Sequence, residues 1–388
     1  MLRFWGGSEA SSGVRVSEQT ALGWTALFSG VRFLSETLAS LPLQVYERLR
    51  PRGKKLRADL GLYRLLHDAP NEEQTSFEFR DLMQTHVVLW GNAYAHIIWN
   101  GAAEPIELWP LNPDRVSMQR DLNGKIIYRV MLPADDMAGP TGYVSLPAED
   151  VLHIRGFTRW GLLGERIARI CPEAIGLGLA TEEFAARFFG QGANAAGVLE
   201  HPGELSKQAK DRLAESFEQQ TKGLWRAHRV AVLEEGMHWK QISIEPEKAQ
   251  FLGVRTFQVA EASRILRIPP HILFELQRAT FTNIEQQGID LVVYTLLPWA
   301  VRWEQRLNMV LISAKMQRTL FTKLGLDGFL RGDTATRYES YAKGRLNGWL
   351  SVNDIRELED MNPVPNGDDY LEPVNMRPLG SAGVPPKQ

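Results

Sequence analysis

The chain reads as an α+β protein, and three observations carry that reading. Between residues 17 and 166, apolar residues recur at helical spacing in some stretches and alternate with period two in others, AYAHIIW among them. Asn123-Gly124 stands between VSMQR and KIIYRV, and this dipeptide readily takes the backbone conformation a tight hairpin needs. Residues 247–311 read as a helix, a Pro-Pro interruption and a longer second helix.

Taken in order, residues 1–16 look like a flexible arm. Ser17 is placed to cap a helix carrying Trp24, Phe28, Val31, Leu34, Leu38 and Leu41, which ends at Pro42. LQVYER then alternates as a strand, and PRGKK reads as a charged turn. Its cluster of Arg50, Arg52, Lys54 and Lys55 suits a solvated hairpin tip better than a phosphate site. A short helix over 57–70 closes at DAPN. The stretch from Ser76 to Trp90 is a helix with Phe79, Met83 and Val87 on one side, stopped by Gly91 and Asn92. VLHIRGF supplies a further strand, completing an α+β region over 17–166.

A second pair of helices follows. Ile167, Ile170, Ala174, Leu177 and Phe184 recur at helical spacing, and Gly190 with Gly192 ends that helix. GVLEHP reads as a strand, LSKQAKDRLAESFEQQTKG as a helix capped by Ser206 and stopped by Gly223, and RVAVLEEGMHWKQISI as two strands joined at Glu235-Gly236. In the next helix Phe251, Val254, Phe257 and Ile265 form one apolar face. Pro269 and Pro270 stop it and push Ile268 towards an extended backbone. Thr282 and Glu285 have the spacing of a reciprocal helix cap. The helix they open keeps Ile284, Leu291, Val292, Thr295, Trp299, Trp303, Leu307 and Val310 apolar or small. Unbroken, it would run roughly 45 Å at about 1.5 Å per residue, and Pro298 should kink it. MQRTLFTKL and GFLRGD read as strands that rejoin the first region. TATRYESYAKGRLNGWLSVNDIRELEDMN reads as two helices broken at Asn347-Gly348, the second capped by Ser351. From Pro363 onward the composition is that of an extended or disordered segment.

Composition narrows the function classes. A chain of 388 residues exceeds one simple core and should divide into two or three domains. With 44% apolar and 23% charged residues it is a folded soluble chain. No run of eighteen apolar residues occurs, and MLRFWGGSEASSG lacks an apolar core of signal-peptide length. The expectation is a protein that stays in the cytosol where it is made and touches no membrane. One cysteine, Cys171, leaves no intrachain disulfide and no Cys-rich zinc site, and its apolar surroundings suit an inert buried thiol. A net charge of −2 argues against a protein that grips duplex DNA by neutralising phosphates. It permits a channel through which DNA slides on weak, replaceable contacts.

Motifs that carry chemistry are missing. The chain has no G-x-x-x-x-G-K-[ST], no H-E-x-x-H, no G-x-S-x-G elbow and no Cys/His metal spacing. RFFGQGANAAG contains G-x-G but ends a helix, so it lacks the setting of a dinucleotide site. Pairs such as Glu182-Glu183 and Glu234-Glu235 read as solvated positions. Neither an enzyme activity nor a cofactor or metal is expected.

The order IPP, short loop, TxxNIEQQ, TLLPW and a following RxE-like amphipathic run resembles the portal (connector) protein of tailed bacteriophages, specifically the Hong Kong phage type. SETLASLPLQVY, GNAY, PLNPDRV and DVLHIRGF share the resemblance, as does the spacing of Gly348, Ser351, Asn353 and Arg356, with NDIR where the family has an NEIR-like start. It spans residues 17–375 and implies a portal fold with wing, stem, clip and crown regions, assembled as a ring. On that map 1–16 is the arm, 17–166 the wing, 167–191 the first stem helix and 192–246 the clip. Residues 247–267 are the second stem helix, 268–282 the tunnel loop, 283–332 the long wing helix with closing strands, 333–375 the crown and 376–388 a flexible tail.

The function implied is a channel at one capsid vertex of the virion, through which double-stranded DNA is packaged and ejected. The implied partners are further copies in a dodecameric ring, the terminase large subunit, the major capsid protein and head-tail adaptors, with synthesis in the host bacterial cytoplasm. Stem residues off the apolar face, Lys248, Arg255, Gln258, Glu261 and Arg264, are candidates to line the channel. His271, Ile272, Leu273, Phe274, Glu275, Gln277 and Arg278 are the loop candidates, with Arg278 and His271 placed to meet phosphates. Two other classes stay open at this point: another phage tail or baseplate ring component, and an enzyme with dispersed site residues. A baseplate protein has no reason to insert an α/β unit between two packed helices.

Overall fold

The computed structural model describes residues 8–132, 142–190, 197–204, 206–212, 237–241, 248–275, 287–326, 334–359 and 361–371. The chain divides into two units, one of Met1–Arg32 with Glu165–Ala279, the other of Phe33–Gly164 with Thr280–Gln388.

In the larger unit the signalled strands, joined by Lys54–Leu56, Pro105–Leu111 and Tyr143–Pro147, which were not expected as strands, form three antiparallel three-stranded sheets. Leu43–Arg48 lies between Lys54–Leu56 and Leu320–Leu324, so only the second half of MQRTLFTKL is a strand. The free side of Leu320–Leu324 is closed by side chains. Thr322 N–H donates to Asn308 Oδ1 at 2.7 Å and Leu324 N–H to Glu304 Oε1 at 2.8 Å, which satisfies backbone groups an edge would leave open. In the second sheet Asn92–Trp99 lies between Val151–Arg155 and Pro105–Leu111. Both of its faces are covered, since Ala93, Ala95 and Ile97 join the main core while Tyr94 packs with Tyr128 and Val151 on the other side. The third sheet is Val116–Arg120, Ile126–Met131 and Tyr143–Pro147. Its first turn is the expected hairpin, with Gly124 at φ 77° and the Asp121 carboxylate accepting the Asn123 and Lys125 N–H groups.

Helix Ser76–Trp90 starts one residue after Thr75, whose side chain and that of Glu78 cap each other's backbone. Its Phe79, Met83 and Val87 are buried as the spacing predicts, against Ala300, Trp303, Leu307 and Leu311 of helix Leu297–Leu311. Trp303 Nε1–H donates to buried Gln84 Oε1 at 2.9 Å. The long helix is not unbroken. Val292–Leu296 is a π-helical turn, and Pro298 sits in the first turn of the α-helix after it. Pro298 has no N–H to donate, and the π-helical turn stands directly before it.

A buried polar group closes the same unit. His153 Nε2–H donates to Asn92 Oδ1 at 2.9 Å, its Nδ1 lies 3.0 Å from Tyr128 Oη, and Asn92 also holds the Gly164 N–H and carbonyl. Burial, reinforced by Arg155 and Arg306, keeps this imidazole neutral, its pKa well below the usual histidine range.

Thr334–Leu346 and Val352–Leu358 are the two expected helices, separated at Gly348 and with Ser351 and Asp354 forming a capping box. Residues 363–368, expected as extended or disordered, depart from that expectation. Residues 363–368 wrap Asn353, which accepts from Val364 N–H at 2.7 Å and donates to Val364 O and Asp368 Oδ1. Arg52 is likewise more than a solvated tip. It pairs with Asp354 at 3.3 Å, with Glu357 at 3.6 Å and with Asp368. GFLRGD lies outside the described residues.

In the smaller unit Ser17 caps only Glu18–Ala21. The chain then turns, and a second helix runs from Thr25 to Ser40, the division between units falling after Arg32. Phe28, expected inside, is exposed. The next helix is also split, into Ile167–Ile170 and Pro172–Gly190, because Pro172 cannot donate and Cys171 leaves the helical region. Cys171 is only partly buried, and desolvation followed by the nearby Glu261 raises its thiol pKa. Gly197–Glu200 pairs antiparallel with His238–Gln241, and Ser206 Oγ accepts from Ala209 N–H at 3.3 Å. The rest of the expected clip helix and its other strand lie outside the described residues.

Candidate DNA-channel segment

The segment begins with helix Lys248–Leu266. Its stop is built from backbone before the prolines act. Arg267 adopts φ 58°, and Ile268 N–H donates to Ser263 O at 3.0 Å, five residues back. This is the closure in which a left-handed residue ends a helix, here without a glycine. Pro269 then leads into a 3-10 turn, Pro270–Leu273, which closes on Phe274 at φ 61°. Phe274 is 86% exposed, whereas Ile268 is buried. The loop is therefore anchored at its start and presents an aromatic ring at its described end. Thr282, Glu285, Gln277 and Arg278 lie outside the described residues.

Close backbone approach anchors the segment within its unit. A Cβ on Gly30 would run into Leu266 and Ile268 side-chain atoms, and one on Gly178 would lie 2.6 Å from the Trp24 ring. Glycine at these positions lets helix Thr25–Ser40 receive residues 266–268, and helix Pro172–Gly190 receive Trp24.

The two helices Pro172–Gly190 and Lys248–Leu266 pack together, but not on the faces that periodicity predicts. Gln258, expected on the exposed channel side, is only 4% exposed. Its Nε2–H groups donate to Thr181 Oγ1 at 2.8 Å and to Leu177 O at 3.2 Å. It is an internal polar link with both donors satisfied. Ile175, Ala262 and Leu266 are buried, while Val254 (42%), Phe257 (55%), Leu177 (50%) and Phe184 (49%) are exposed. These four members of the expected apolar faces are thus exposed, whereas Ile167 is buried and Ile265 partly buried.

Of the other stem candidates, Arg255 is exposed, with its guanidinium 3.8 Å from Glu182. Arg264 is exposed, pairs with Glu261 one turn earlier and lies 5.2 Å over the Phe257 ring. Lys248 belongs to the helix, but its side chain is outside the described part. His271, Ile272, Leu273 and Glu275 are partly buried.

Glu182, expected as a solvated residue, has a structural role. It accepts from Thr25 N–H at 3.4 Å and from the Thr25 hydroxyl, capping a helix more than a hundred residues away in sequence. A carboxylate there also meets the positive end of that helix. No local pattern could have disclosed it, since the capped helix and the cap share no stretch of sequence. Among the described residues no group of three or more His, Cys, Asp or Glu is placed to hold a metal, and no helix is long and apolar enough to cross a membrane.

This arrangement, a helix pair leading into an anchored loop, accompanies kinship over almost the whole chain. The family model for phage portal proteins matches residues 25–360. The probable portal protein of Streptomyces phage phiC31 is 32% identical over 391 residues, spanning 98% of this chain and 84% of that one. The portal protein of Enterobacteria phage HK97 is 30% identical over 376 residues, spanning 95% and 86%. Among solved structures, a chain from the neck of a native gene transfer agent particle computed with C12 symmetry is 20% identical, with a TM-score of 0.59 over 89% of this chain and 92% of that one. The chain belongs to the phage portal protein family, with the α+β portal fold and the function of a portal.

Proposed function

We propose that this portal subunit closes with identical copies into a twelve-membered ring at one capsid vertex of a virion. Double-stranded DNA passes through the ring during packaging and ejection. The reading is carried by the near-full-length kinship with two portal proteins, and the C12 symmetry with which the fold neighbour's neck was computed supports the subunit number. Residues 167–191 and 247–267 serve as the stem, 192–246 as the clip, 268–282 as the tunnel loop, 17–166 with 283–332 as the wing, and 333–375 as the crown. The ring performs no catalysis. A terminase large subunit supplies the energy, and the clip receives it and later the head-tail adaptors, while the major capsid protein surrounds the wing. The subunit is made in the host cytoplasm and enters the particle from there.

Lys248, Arg255, Glu261 and Arg264 face the duplex from the stem, and Gln258 is withdrawn from that set. The loop carries His271 to Glu275, with Gln277 and Arg278 beyond. Few cations per subunit suit weak contact that lets DNA slide, since tight binding needs many neutralised phosphates. Electron micrographs of purified protein down the particle axis should show rings with a central hole. Sedimentation showing only monomer at high concentration and capsid-like salt would overturn the ring. Replacing residues 272–278 by a Gly/Ser linker should leave rings intact and impair packaging or retention. Full, stable genomes in such particles would remove the loop from the mechanism.

A further inference from the structure

Three arginines of the larger unit converge where strand Val151–Arg155 meets helix Leu297–Leu311. Arg302 fixes the meeting point, since its Nη1–H donates to Arg155 O at 3.1 Å and to Gly156 O at 2.7 Å. Arg306 stands one turn further along the same helix, and Arg155 ends the strand. The Arg155 side chain reaches back to the buried histidine, with its Nε 3.4 Å from His153 Nδ1. Among the described residues no Asp or Glu pairs with any of the three.

Arg306 carries the strongest demand for an acceptor. It is partly buried, its Nε–H is fully buried with no hydrogen-bond partner, and its Nη1–H reaches the Met309 thioether at 3.7 Å, a weak acceptor. Burial, followed by the nearby Arg155, lowers its pKa, yet a guanidinium stays charged at neutral pH. The surrounding polar groups bring no negative charge. His153 is held neutral, and burial raises the Tyr128 pKa, so that its phenol keeps its proton. Cations taken partly out of water beside like charges are costly unless an oxyanion accepts from them.

We infer that Arg155, Arg302 and Arg306 form a binding site for a dianionic tetrahedral oxyanion, of which inorganic phosphate is the simplest. Guanidinium forks match the paired oxygens of such a group, and three cations suit a double negative charge better than the single charge of a carboxylate. A duplex backbone offers only singly charged diesters, so this site is separate from any contact made in the channel and does not rest on the ring reading. Once bound, the oxyanion ties the strand to the helix. Free phosphate and a phosphate monoester bring the same chemistry, and the probes below tell them apart.

The test melts the full chain, at one protein concentration and pH, in chloride and in inorganic phosphate of equal ionic strength. Phosphate strengthens the burial of most proteins through exclusion from their surfaces, so the readout is the difference between wild type and Arg306→Met or Arg155→Met. In chloride Arg306→Met should melt at or above wild type, because it removes a partly buried cation. In phosphate the order should reverse, with wild type gaining about 2–4 °C more than the variant. Arg306→Lys, which keeps the charge and loses the fork, should forfeit most of that gain. Titration calorimetry with inorganic phosphate should show one site per chain, weakened about tenfold or more in either Met variant. Phenyl phosphate should bind in its place if the site is open to monoesters, and dimethyl phosphate, a singly charged diester, should not. An equal phosphate gain in wild type and variants would reduce the effect to surface exclusion and overturn the site. Arg306→Met melting below wild type already in chloride would assign the arginine to the fold or to a partner's carboxylate, and would overturn it too.

Discussion

The link between Gln258 and Thr181 yields a prediction with a definite sign pattern. Thr181→Val keeps the volume but removes the acceptor 2.8 Å from Gln258 Nε2, leaving the buried amide with only Leu177 O at 3.2 Å. A buried donor deprived of its partner costs about 1–3 kcal/mol. Gln258→Leu alone should cost less, because the Thr181 hydroxyl still donates to Leu177 O at 2.8 Å one turn back on its own helix. The double variant removes donor and acceptor together and should fall within about 1 kcal/mol of wild type. A coupling of about 1–2 kcal/mol follows for residues in direct contact. Urea unfolding at one fixed protein concentration measures it, since assembly would otherwise shift apparent stability. Additive costs, with the double variant as unstable as the sum of the singles, would refute the buried link. They would return Gln258 to the exposed side, where its replacement should change DNA passage and leave stability alone.

Three further outcomes follow from the structure. Burial lowers the His86 pKa from 6.5 to about 4, so between those values the unfolded chain binds a proton that the folded chain refuses. Unfolding free energy should be full above pH 6.5 and fall by about 3 kcal/mol on acidification to pH 4. His153 adds to the fall, and Glu304, whose pKa burial raises, partly offsets it. His86→Phe should flatten the profile, and an equal slope in that variant would refute the assignment. Asn353→Ala should cost roughly 2–3 kcal/mol by unpairing the Val364 N–H and carbonyl and the Asp368 carboxylate, and it should speed proteolysis there before global unfolding; an unchanged cleavage rate would refute the anchoring. Gly178→Val should destabilise by about 1–3 kcal/mol through overpacking against Trp24, and Trp24→Leu should recover part of that loss in thermal melts, whereas no recovery would place the strain elsewhere.

Elements whose signals are local were legible before any coordinates. Ser351 caps the helix it directly precedes, Asn123-Gly124 needs only its own turn, and Phe79, Met83 and Val87 face inward because one helix face meets the main core. The two helices joined by Ser17 to Leu41 were read as one, since the interruption depends on Glu182, 157 residues from Thr25. The polar roles of Arg52, Asn92, Asn353 and Glu304 were hidden for the same reason. Each partner stands far along the chain, and sequence pattern reports only what lies within a few turns.

The sequence by itself determined the α+β class, the absence of motifs for catalysis, and a resemblance that proved to be kinship across residues 25–360. Those properties rest on composition, periodicity and chain order, which survive any arrangement in space. Only the tertiary structure decided which face of each helix is used. Periodicity separates an apolar row from a polar one, but it carries no information on whether the row is covered by the same chain. Gln258 went inside because Thr181 and Leu177 O could satisfy it there, and Leu177, Phe184, Val254 and Phe257 remained outside.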